Sequence, residues 1–419
     1  MPETVHTEHD MVRAIAEAEF DVAIIGGGIN GAGIARDAAM RGLKVLLVDK
    51  GDFGGATTSA STRLIHGGLR YLEHFEFGLV RESLHERETL LRIAPHLVKP
   101  LPISIPIYKQ SKRGPAAIRA GMITYDILSW GKSLPHHRML SRAQTLERLP
   151  GLNREGLLGS AVYFDAQVEF PERLVLANVA AVRDLGAEVF EHTRVTNLLA
   201  EGKMVSGIEF VTADGQARSA RARVVINATG PWVDRLLEGA SVDGPKLIGG
   251  TKGSHIVVPP FSTAPANAIY LEARSDKRPI FIIPWNEQYL IGTTDVRFEG
   301  DPDEVRCESW EVDYLLSETN IAFPKAQVTD DSIVLIYSGV RPLPSTNEKD
   351  EQRITRRHFI REHPRLSNLL SIVGGKLTTY RSLAEECVDL VFRKLGRNAP
   401  PCRTATEVLP RMNADEIRI

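Results

Sequence analysis

Three glycines near the N-terminus, Gly26, Gly28 and Gly31, have the spacing of a phosphate-binding turn. They follow the apolar run 22–25, which predicts a buried strand, and they precede a helical pattern over 34–41. In such a turn the first glycine allows the tight bend, the second lets the backbone approach a pyrophosphate, and the third lets the helix pack on the sheet. The N-terminus of the helix then stabilises the diphosphate. The pattern therefore predicts a dinucleotide-binding site.

An acidic residue, Asp49, ends the next apolar run, 44–48, and stands 23 residues after Gly26. A carboxylate at this place can accept hydrogen bonds from both ribose hydroxyls, and it disfavours a 2′-phosphate, so NADP is not expected. The pattern does not by itself separate FAD from NAD.

The next two segments have side chains suited to a flat or anionic ligand. Residues 54–63 are mostly small or carry hydroxyls, so they could lie against a flavin or form a flexible loop. In 64–72 a glycine pair allows a close backbone approach. There Arg70 and Tyr71 can offer a charge and an O–H donor to an anion, unless the segment is a surface turn.

The elements that position these residues come from separate parts of the chain. Apolar runs ending in glycine turns recur near Asn227 and Gly374, so we expect one nucleotide-binding domain whose strands are separated by insertions. Runs within 247–295 predict a mixed or antiparallel sheet, and the proline-spaced run 100–106 predicts an edge strand. Helices are expected over 83–97, 118–130, 171–185 and 379–395. The expected division is an FAD domain (18–95, 171–245 and 336–398), a substrate domain (96–170 and 246–335) and an extended tail (399–419).

Composition excludes several classes of protein. The 51 basic and 53 acidic residues nearly balance, which argues against a general nucleic-acid binder. The three cysteines form no CxxC pair, so neither a disulfide scaffold nor a zinc ribbon is expected. The pair His136–His137 has no acid or cysteine at ligand spacing, so a loop is expected there and no metal site.

The sequence carries no apolar run of the roughly 20 residues that a membrane helix needs. The segment Met1–Phe20 is acidic and lacks the pattern of a signal peptide. We therefore expect a cytoplasmic location, which leaves a peripheral membrane contact open.

Seven blocks in order resemble the FAD-dependent (aerobic-type) glycerol-3-phosphate dehydrogenase family, over about residues 20–410. They are GGGINGAG (26–33), SASTRLIHGGLRYL (59–72), NATGPWV (227–233), KGSHIVVP (252–259), IGTTD (291–295), YSGVRPL (337–343) and VGGKLTTYR (373–381). The resemblance implies an α/β fold. It has a Rossmann-like FAD-binding domain of the glutathione-reductase/D-amino-acid-oxidase type, with a mixed or antiparallel-sheet substrate domain inserted. Such proteins usually continue into a helical C-terminal domain, which we expect this chain to lack because it stops at Ile419.

The resemblance also implies a reaction, in which sn-glycerol 3-phosphate is oxidised to dihydroxyacetone phosphate by hydride transfer from C2 to flavin N5. Electrons then pass to a membrane quinone, ubiquinone or menaquinone, at the inner face of the membrane, and a homodimer is a further expectation. By similarity His255 is the general base and Arg341 stabilises charge developing on the substrate oxygen. Without the resemblance, His255 reads as a core histidine on a strand. By similarity the substrate phosphate and hydroxyls are bound by Arg70, Tyr71, Arg356 and Lys376.

Contacts to FAD are expected, by fingerprint or similarity, from the following residues: Gly26, Gly28, Asn30, Gly31, Asp49, Thr58, Ser59, Ser61, Thr62, Leu64, His66, Gly67, Gly68, Val195, Gly230, Gly375, Lys376 and Thr378. Three alternatives remain open. They are a glycerol-3-phosphate oxidase that makes hydrogen peroxide, an enzyme of this fold for another 2-hydroxy or amine substrate, and a non-catalytic FAD-binding sensor or subunit.

Overall fold

Two β-sheets organise the computed structural model, which describes residues 19–348 and 350–412. The strands of the first sheet are β1 (Glu19–Ile25), β2 (Val45–Val48), β7 (Glu188–Phe190), β8 (Arg194–Glu201), β9 (Met204–Val211), β10 (Ala217–Asn227), β17 (His358–Glu362) and β18 (Leu369–Gly374). Those of the second sheet are β3 (Leu64–Ile65), β4 (Val98–Tyr108), β5 (Arg138–Ser141), β6 (Leu157–Val168), β11 (Thr251–Val258), β12 (Ala268–Glu272), β13 (Pro279–Trp285), β14 (Gln288–Gly292), β15 (Val296–Arg297) and β16 (Leu335–Arg341).

The helices cover both sheets. They are α1 (Ile29–Met40), α2 (Phe77–Ile93), α3 (Pro115–Leu128), α4 (Arg142–Arg148), α5 (Pro171–Asp184), α6 (Val233–Gly239), α7 (Ser309–Ala322) and α8 (Tyr380–Leu395). None that the structure describes is both long and apolar enough to cross a bilayer.

The first sheet has a parallel centre in the order β18-β10-β1-β2-β7, with β17 antiparallel at one edge. Residues 22–25 of β1 and the whole of β2 are continuous apolar runs, as expected for strands buried on both faces. Helices α1, α5 and α8 pack together over one face, where Ile34, Val179 and Val388 share a core with strand residues. The strands thus come from both ends and the middle of the chain, as predicted.

The second sheet is mixed. Its main order is β15-β11-β14-β13-β12-β4-β6-β3, and β16 pairs with β11 along seven residues. Helix α7 buries Leu315 and Leu316 against one face, and α3 packs Met122 and Tyr125 on another part of the sheet. Most of this sheet therefore packs in cores of its own, whereas Ile65, Val98, Ala166 and Val168 share the core of the first sheet.

The structure corrects the edge prediction for one strand and the expected domain of two others. Strand β4 is not an edge strand, because it pairs with β6 along its length and with β12 at Ile103 and Ser104. Its prolines, at 100, 102 and 106, are separated by even numbers of residues. The N–H groups that they lack would therefore all lie on the same edge of the strand. Strands β3 and β16 belong to the second sheet, although the expected division placed 64–65 and 336–341 in the FAD domain.

The C-terminal tail packs against the first sheet's helices as far as it is described. Leu409 is 1% exposed, and its N–H donates to the carbonyl of Ile93 at the end of α2. Residues 413–419, like most of the segment read for a signal peptide, lie outside the described residues.

Candidate active site

A cavity of about 740 Å³ opens where the parallel strands of the first sheet end. Its wall includes the turns after β1, β2, β10 and β18. Open α/β sheets bind ligands at this end of their strands, so the topology itself points to the cavity. The predicted residues that line it are Gly26, Gly28, Asn30, Asp49, Thr58, Ser61, Val195, Gly230, Gly375 and Lys376.

The three glycines of the turn have different surroundings. Gly26 has a φ of +104°, and a Cβ there would lie 2.6 Å from the carbonyl oxygen of Ala228. A Cβ on Gly31 would lie 1.8 Å from the oxygen of Gly26, so its absence lets α1 approach the turn. At Gly28 the nearest atom is Oγ1 of Thr58, at 3.6 Å. The absence of a side chain at the first and third glycines therefore allows close packing of the backbone. Its absence at the middle glycine leaves the cavity side of the turn open.

Asp49 ties the glycine turn to the end of β2. Its Oδ2 accepts a hydrogen bond from the N–H of Gly27 at 2.6 Å, and its Oδ1 accepts one from Gly51 at 2.8 Å. Burial raises the pKa of this carboxyl, while the two N–H donors oppose that rise. Each carboxylate oxygen keeps a lone pair for a further donor, such as a ribose hydroxyl.

A second group of polar residues centres on Asp295, beside strands β11 and β16. One carboxylate oxygen lies 3.2 Å from Nη1 of Arg341, and the other lies 3.0 Å from Nη2 of Arg356. Nη2 of Arg341 also donates to Oγ1 of Thr293 at 2.9 Å. Burial would raise the pKa of Asp295, but the two guanidinium groups lower it overall. A single carboxylate therefore holds both arginines in place.

Other predicted cations lie close to this pair. Burial lowers the pKa of Arg341, and Arg356 and Arg70 lower it further, while Asp295 opposes them. Nζ of Lys376 lies 4.1 Å from the ring centre of Tyr71 and donates to Oγ of Ser83 at 2.8 Å.

The pKa of Lys376 falls to about 7. Burial is the main cause, and Arg356 contributes to the fall. Because neighbouring arginines contribute to the lowered pKa values of Arg341 and Lys376, an anion that bound among these cations would relieve their repulsion.

His255 lies on β11, next to this group, and is 1% exposed. Its ring stacks on Tyr337 with centroids 4.9 Å apart, and its Nε2 lies 2.9 Å from Oγ1 of Thr62. Burial, Arg341 and Arg63 lower its pKa to about 3. The imidazole is therefore neutral at physiological pH and able to accept a proton.

Comparison with known proteins identifies the family. A family model described as FAD dependent oxidoreductase matches residues 21–390. A glycerol-3-phosphate dehydrogenase of Synechocystis is 51% identical over 415 residues, covering 94% of this chain and 74% of that protein. The aerobic glycerol-3-phosphate dehydrogenase of Escherichia coli is 43% identical over 401 residues, covering 93% of this chain and 76% of that protein. The chain belongs to the FAD-dependent glycerol-3-phosphate dehydrogenase family.

A solved member of this family shares the fold. The X-ray structure of the glycerol-3-phosphate dehydrogenase from Bacillus halodurans, complexed with FAD, matches with a TM-score of 0.77 and 31% identity. The match covers 96% of this chain and 69% of that one. The predicted fold class and the FAD cofactor are thereby confirmed for this member of the FAD-dependent glycerol-3-phosphate dehydrogenases.

The residues around the cavity fit FAD. Oδ1 of Asn30 is buried and has no hydrogen-bond partner among the described residues. Helix α1 starts after Gly28, which has no side chain to cap it, and the N–H of Ile29 donates to Oγ1 of Thr58 at 3.2 Å. The N-terminus of a helix at the cavity and a lone buried acceptor are groups that suit a polar ligand with phosphates and hydroxyls.

Several predicted FAD contacts have protein partners and do not line the cavity. The N–H of Gly67 donates to Tyr125 and Asp165, and Oγ1 of Thr378 accepts from the N–H of His66 at 3.1 Å. Ser59 donates to a carbonyl in its own loop at 2.9 Å. The predicted residues that the cavity lining does not include are Gly31, Ser59, Thr62, Leu64, His66, Gly67, Gly68 and Thr378. Their contact with the flavin stays a prediction.

Sequence reasoning missed a group at the mouth of the cavity. Nζ of Lys50 lies 2.5 Å from Asp303 and 3.9 Å from the ring centre of Trp232. Nε1 of Trp232 donates to the same carboxylate at 3.1 Å. A lysine directly after Asp49 was a signal available in the sequence, but its partner lies 253 residues away.

Asp295 was missed although it ends one of the family-like blocks. The sequence signal for a functional role was an acidic residue directly after two threonines. The block that contains it lies far along the chain from the other candidate residues. Its role depends on two arginines that the fold brings to it.

Proposed function

We propose that this chain oxidises sn-glycerol 3-phosphate to dihydroxyacetone phosphate, with FAD as the first electron acceptor. The observation that carries the proposal is the pair of arginines, Arg341 and Arg356, that Asp295 holds at 3.2 and 3.0 Å. The cations Arg70 and Lys376 lie close enough to interact with this pair. A phosphate is a dianion near neutral pH and suits several fixed cations. The relatives named for this substrate support the same assignment.

In this proposal different cations bind different parts of the substrate. Lys376, Arg356, Arg70 and Tyr71 bind the phosphate and position the rest of the molecule. Arg341 faces the reacting hydroxyl and stabilises the negative charge that develops on its oxygen. A guanidinium that is held by Asp295 and Thr293 is already oriented for this task, so little reorganisation is needed during the reaction.

His255 is the general base of the proposed reaction. Its neutral imidazole takes the hydroxyl proton, and the carbon–oxygen double bond forms as the hydrogen on C2 leaves with its electron pair. FAD, when bound, supplies the acceptor for that hydride. Burial keeps His255 uncharged beside two arginines, which is the protonation state that a base requires.

Anaerobic flavin bleaching tests this function. Adding glycerol 3-phosphate to the FAD-loaded protein without oxygen should bleach the flavin absorbance, whereas glycerol or lactate at the same concentration should not. A flavin that stays oxidised would reject the function and favour a binding protein without turnover. A peroxide assay in air, set against reduction of a quinone analogue, then separates an oxidase from a dehydrogenase.

We further propose that electrons pass to a membrane quinone and that α3 contacts the bilayer at the inner face of the membrane. An apolar stripe of helical spacing supports this, since Ile123, Ile127 and Trp130 are 46, 64 and 80% exposed. Exposed Arg119 on α3 and nearby Lys112 could meet anionic headgroups. A tryptophan at the edge of such a stripe suits the membrane–water interface.

The proposed homodimer would need a contact surface between the two subunits. Val334, Leu335 and Ile336, at and before the start of β16, are exposed apolar residues that such a contact could bury. Light scattering on the purified chain measures the subunit number. A particle of one chain's mass, 46.3 kDa, would reject the dimer.

A further inference from the structure

Thr62 and His255 form a hydrogen bond between two parts of the chain that are 193 residues apart. Oγ1 of Thr62 lies 2.9 Å from Nε2 of His255. Thr62 stands just before β3, and it is absent from the lining of the FAD cavity. Among the described residues, the hydroxyl of Thr62 therefore contacts the proposed base, His255.

The other ring nitrogen of His255 has no such contact. Its Nδ1 is buried and has no hydrogen-bond partner among the described residues. The ring plane is fixed on one side by stacking on Tyr337, at an angle of 20°. At Gly292 a Cβ would lie 2.3 Å from Cδ2 of the ring, so the glycine is what admits the imidazole there. The two nitrogens are thus held in unlike surroundings.

These surroundings favour one tautomer. A neutral imidazole carries one N–H. With the hydrogen on Nε2, that N–H donates to the oxygen of Thr62, and Nδ1 keeps a free lone pair. With the hydrogen on Nδ1, a buried donor would lack an acceptor, which is the costlier arrangement.

We propose that Thr62 is a positioning residue that holds His255 as the Nε2–H tautomer, so that Nδ1 takes the hydroxyl proton of the substrate. The inference rests on the proposed oxidation of glycerol 3-phosphate. The proton passes from the hydroxyl oxygen to Nδ1, the hydrogen on C2 leaves with its electron pair for the flavin, and the C–O single bond becomes the carbonyl. The imidazolium then carries N–H groups on both nitrogens, and the one on Nε2 stays bound to Thr62.

The charged groups that face this imidazole are Arg341 from β16 and Arg63 from the loop before β3. Both keep the ring uncharged, and so able to accept a proton, before the reaction. The phenol of Tyr337 is occupied, because it donates to the carbonyl of Ser61 at 2.9 Å. No described carboxylate is hydrogen-bonded to the ring, so the hydroxyl of Thr62 is its orienting partner.

The experiment uses the FAD-loaded protein labelled with ¹⁵N-histidine, and long-range ¹H–¹⁵N correlation spectra that report which nitrogen carries the hydrogen. His255→Gln identifies the signals of His255. We expect a neutral Nε2–H ring between pH 6 and 8 in the wild type and in Thr62→Ser. In Thr62→Val, which keeps the side-chain shape without the hydroxyl, we expect a shift toward the Nδ1–H form.

Rapid-mixing measurement of anaerobic flavin reduction gives the second readout. Thr62→Val should reduce flavin at least about tenfold more slowly, with the dissociation constant for glycerol 3-phosphate within about threefold of the wild type, and Thr62→Ser should restore the rate. A wild-type ring protonated on Nδ1, or an unchanged tautomer and rate in Thr62→Val, would overturn the proposal. Loss of FAD from Thr62→Val would also overturn it, by assigning Thr62 to the cofactor. If the substrate fails to bleach wild-type flavin, the proposed function is rejected, whereas the spectra still decide whether Thr62 sets the tautomer.

Discussion

The guanidinium of Arg341 occupies the space beside Gly253. The two residues lie on the adjacent antiparallel strands β16 and β11, and a Cβ at position 253 would lie 2.1 Å from Nη2 and 2.5 Å from Cζ of Arg341. The guanidinium has little freedom to move away, because it is also bound to Asp295 and Thr293. The absence of a side chain at 253 is therefore what lets Arg341 reach its place.

Replacing Gly253 by alanine should displace Arg341 and slow the proposed reaction. We expect flavin reduction by glycerol 3-phosphate to slow at least about tenfold, because one positioned charge commonly contributes about that much or more. The FAD content of the purified protein should not change. Gly239→Ala is the matched control, since a Cβ at 239 meets nothing within 4 Å. Wild-type kinetics in Gly253→Ala would contradict the proposed role of Arg341.

Removing the charge of Asp295 should destabilise the fold. Asp295→Asn leaves the buried guanidinium of Arg356 and the partly exposed guanidinium of Arg341 without their carboxylate. The loss of one partner of a buried ion pair costs about 3 kcal/mol in the free energy of unfolding. Urea unfolding at pH 7 measures it. Asp313→Asn, at an exposed position on α7, is the control and should change little. Equal stability of Asp295→Asn and wild type would refute the structural role of this carboxylate.

The same carboxylate predicts a pH dependence of stability. Its folded pKa is below the unfolded value of about 3.9, so its stabilisation is full above about pH 4 and is lost as the pH falls through the folded pKa. The gap in free energy of unfolding between wild type and Asp295→Asn should therefore shrink below pH 4. A gap that stays constant into strong acid would argue that the difference has another cause.

Because the pKa of Lys376 is lowered, the affinity for glycerol 3-phosphate should fall as the pH rises. Burial holds its pKa at about 7 in the free protein, and a bound phosphate dianion would raise that value. Its contribution to affinity is then full below pH 7 and is lost as the pH rises through the raised pKa of the complex. The dependence of the rate of anaerobic flavin reduction on glycerol 3-phosphate concentration, from pH 6.5 to 9.5, gives the dissociation constant that measures this. Lys376→Arg keeps its charge and should show a flatter curve, and identical curves would exclude Lys376 from the phosphate site.

Replacing Asp49 by alanine should weaken the binding of FAD. Asp49→Ala removes the acceptor of two backbone N–H groups and the proposed ribose contact. The dissociation constant for FAD should rise at least about tenfold, because a hydrogen bond to a charged group contributes about 1.5–3 kcal/mol. Fluorescence titration of the apoprotein with FAD tests it against Asp243→Ala, whose side chain is 82% exposed and lies outside the cavity lining. Equal affinities would mean that the ribose is held elsewhere.

The apolar stripe on α3 predicts binding to anionic vesicles. Ile127→Glu places a charge in the centre of the stripe and should reduce cosedimentation with phosphatidylglycerol-containing vesicles by about tenfold or more. Leu185→Glu changes a side chain that is 50% exposed outside α3, and it should bind as the wild type does. Equal binding of both variants would remove α3 as the contact surface.

The parts of the fold that sequence predicted are those set by local pattern. The unit β1–α1–β2 was predictable because its apolar runs, glycines and terminal acid lie within about thirty residues and each residue type has a local cause. The edge prediction for β4 failed because the strands on either side of it are decided by distant segments. The sheet of β16 was missed for the same reason, since its partner β11 lies some eighty residues earlier.

The candidate site divides in a similar way. Asp49 was placed by its spacing from Gly26, whereas the roles of His255 and Arg341 needed the resemblance to a family. The contact of Thr62 with His255 and the bridge made by Asp295 followed from neither, because each joins side chains from segments that are far apart in the sequence and meet only in the folded protein. Contacts of this kind depend on the tertiary structure and carry no local sequence signal.

The strand order of the first sheet has a consequence for biosynthesis. Gly26 after the first strand and Gly374 and Gly375 at the end of the last line the same cavity, and Thr229 follows a strand that lies between them in the sequence. During translation the cofactor's binding place therefore lacks one wall until residue 375 has left the ribosome. The flavin nucleotide is thus captured only by a polypeptide that has been synthesised at least as far as Gly375.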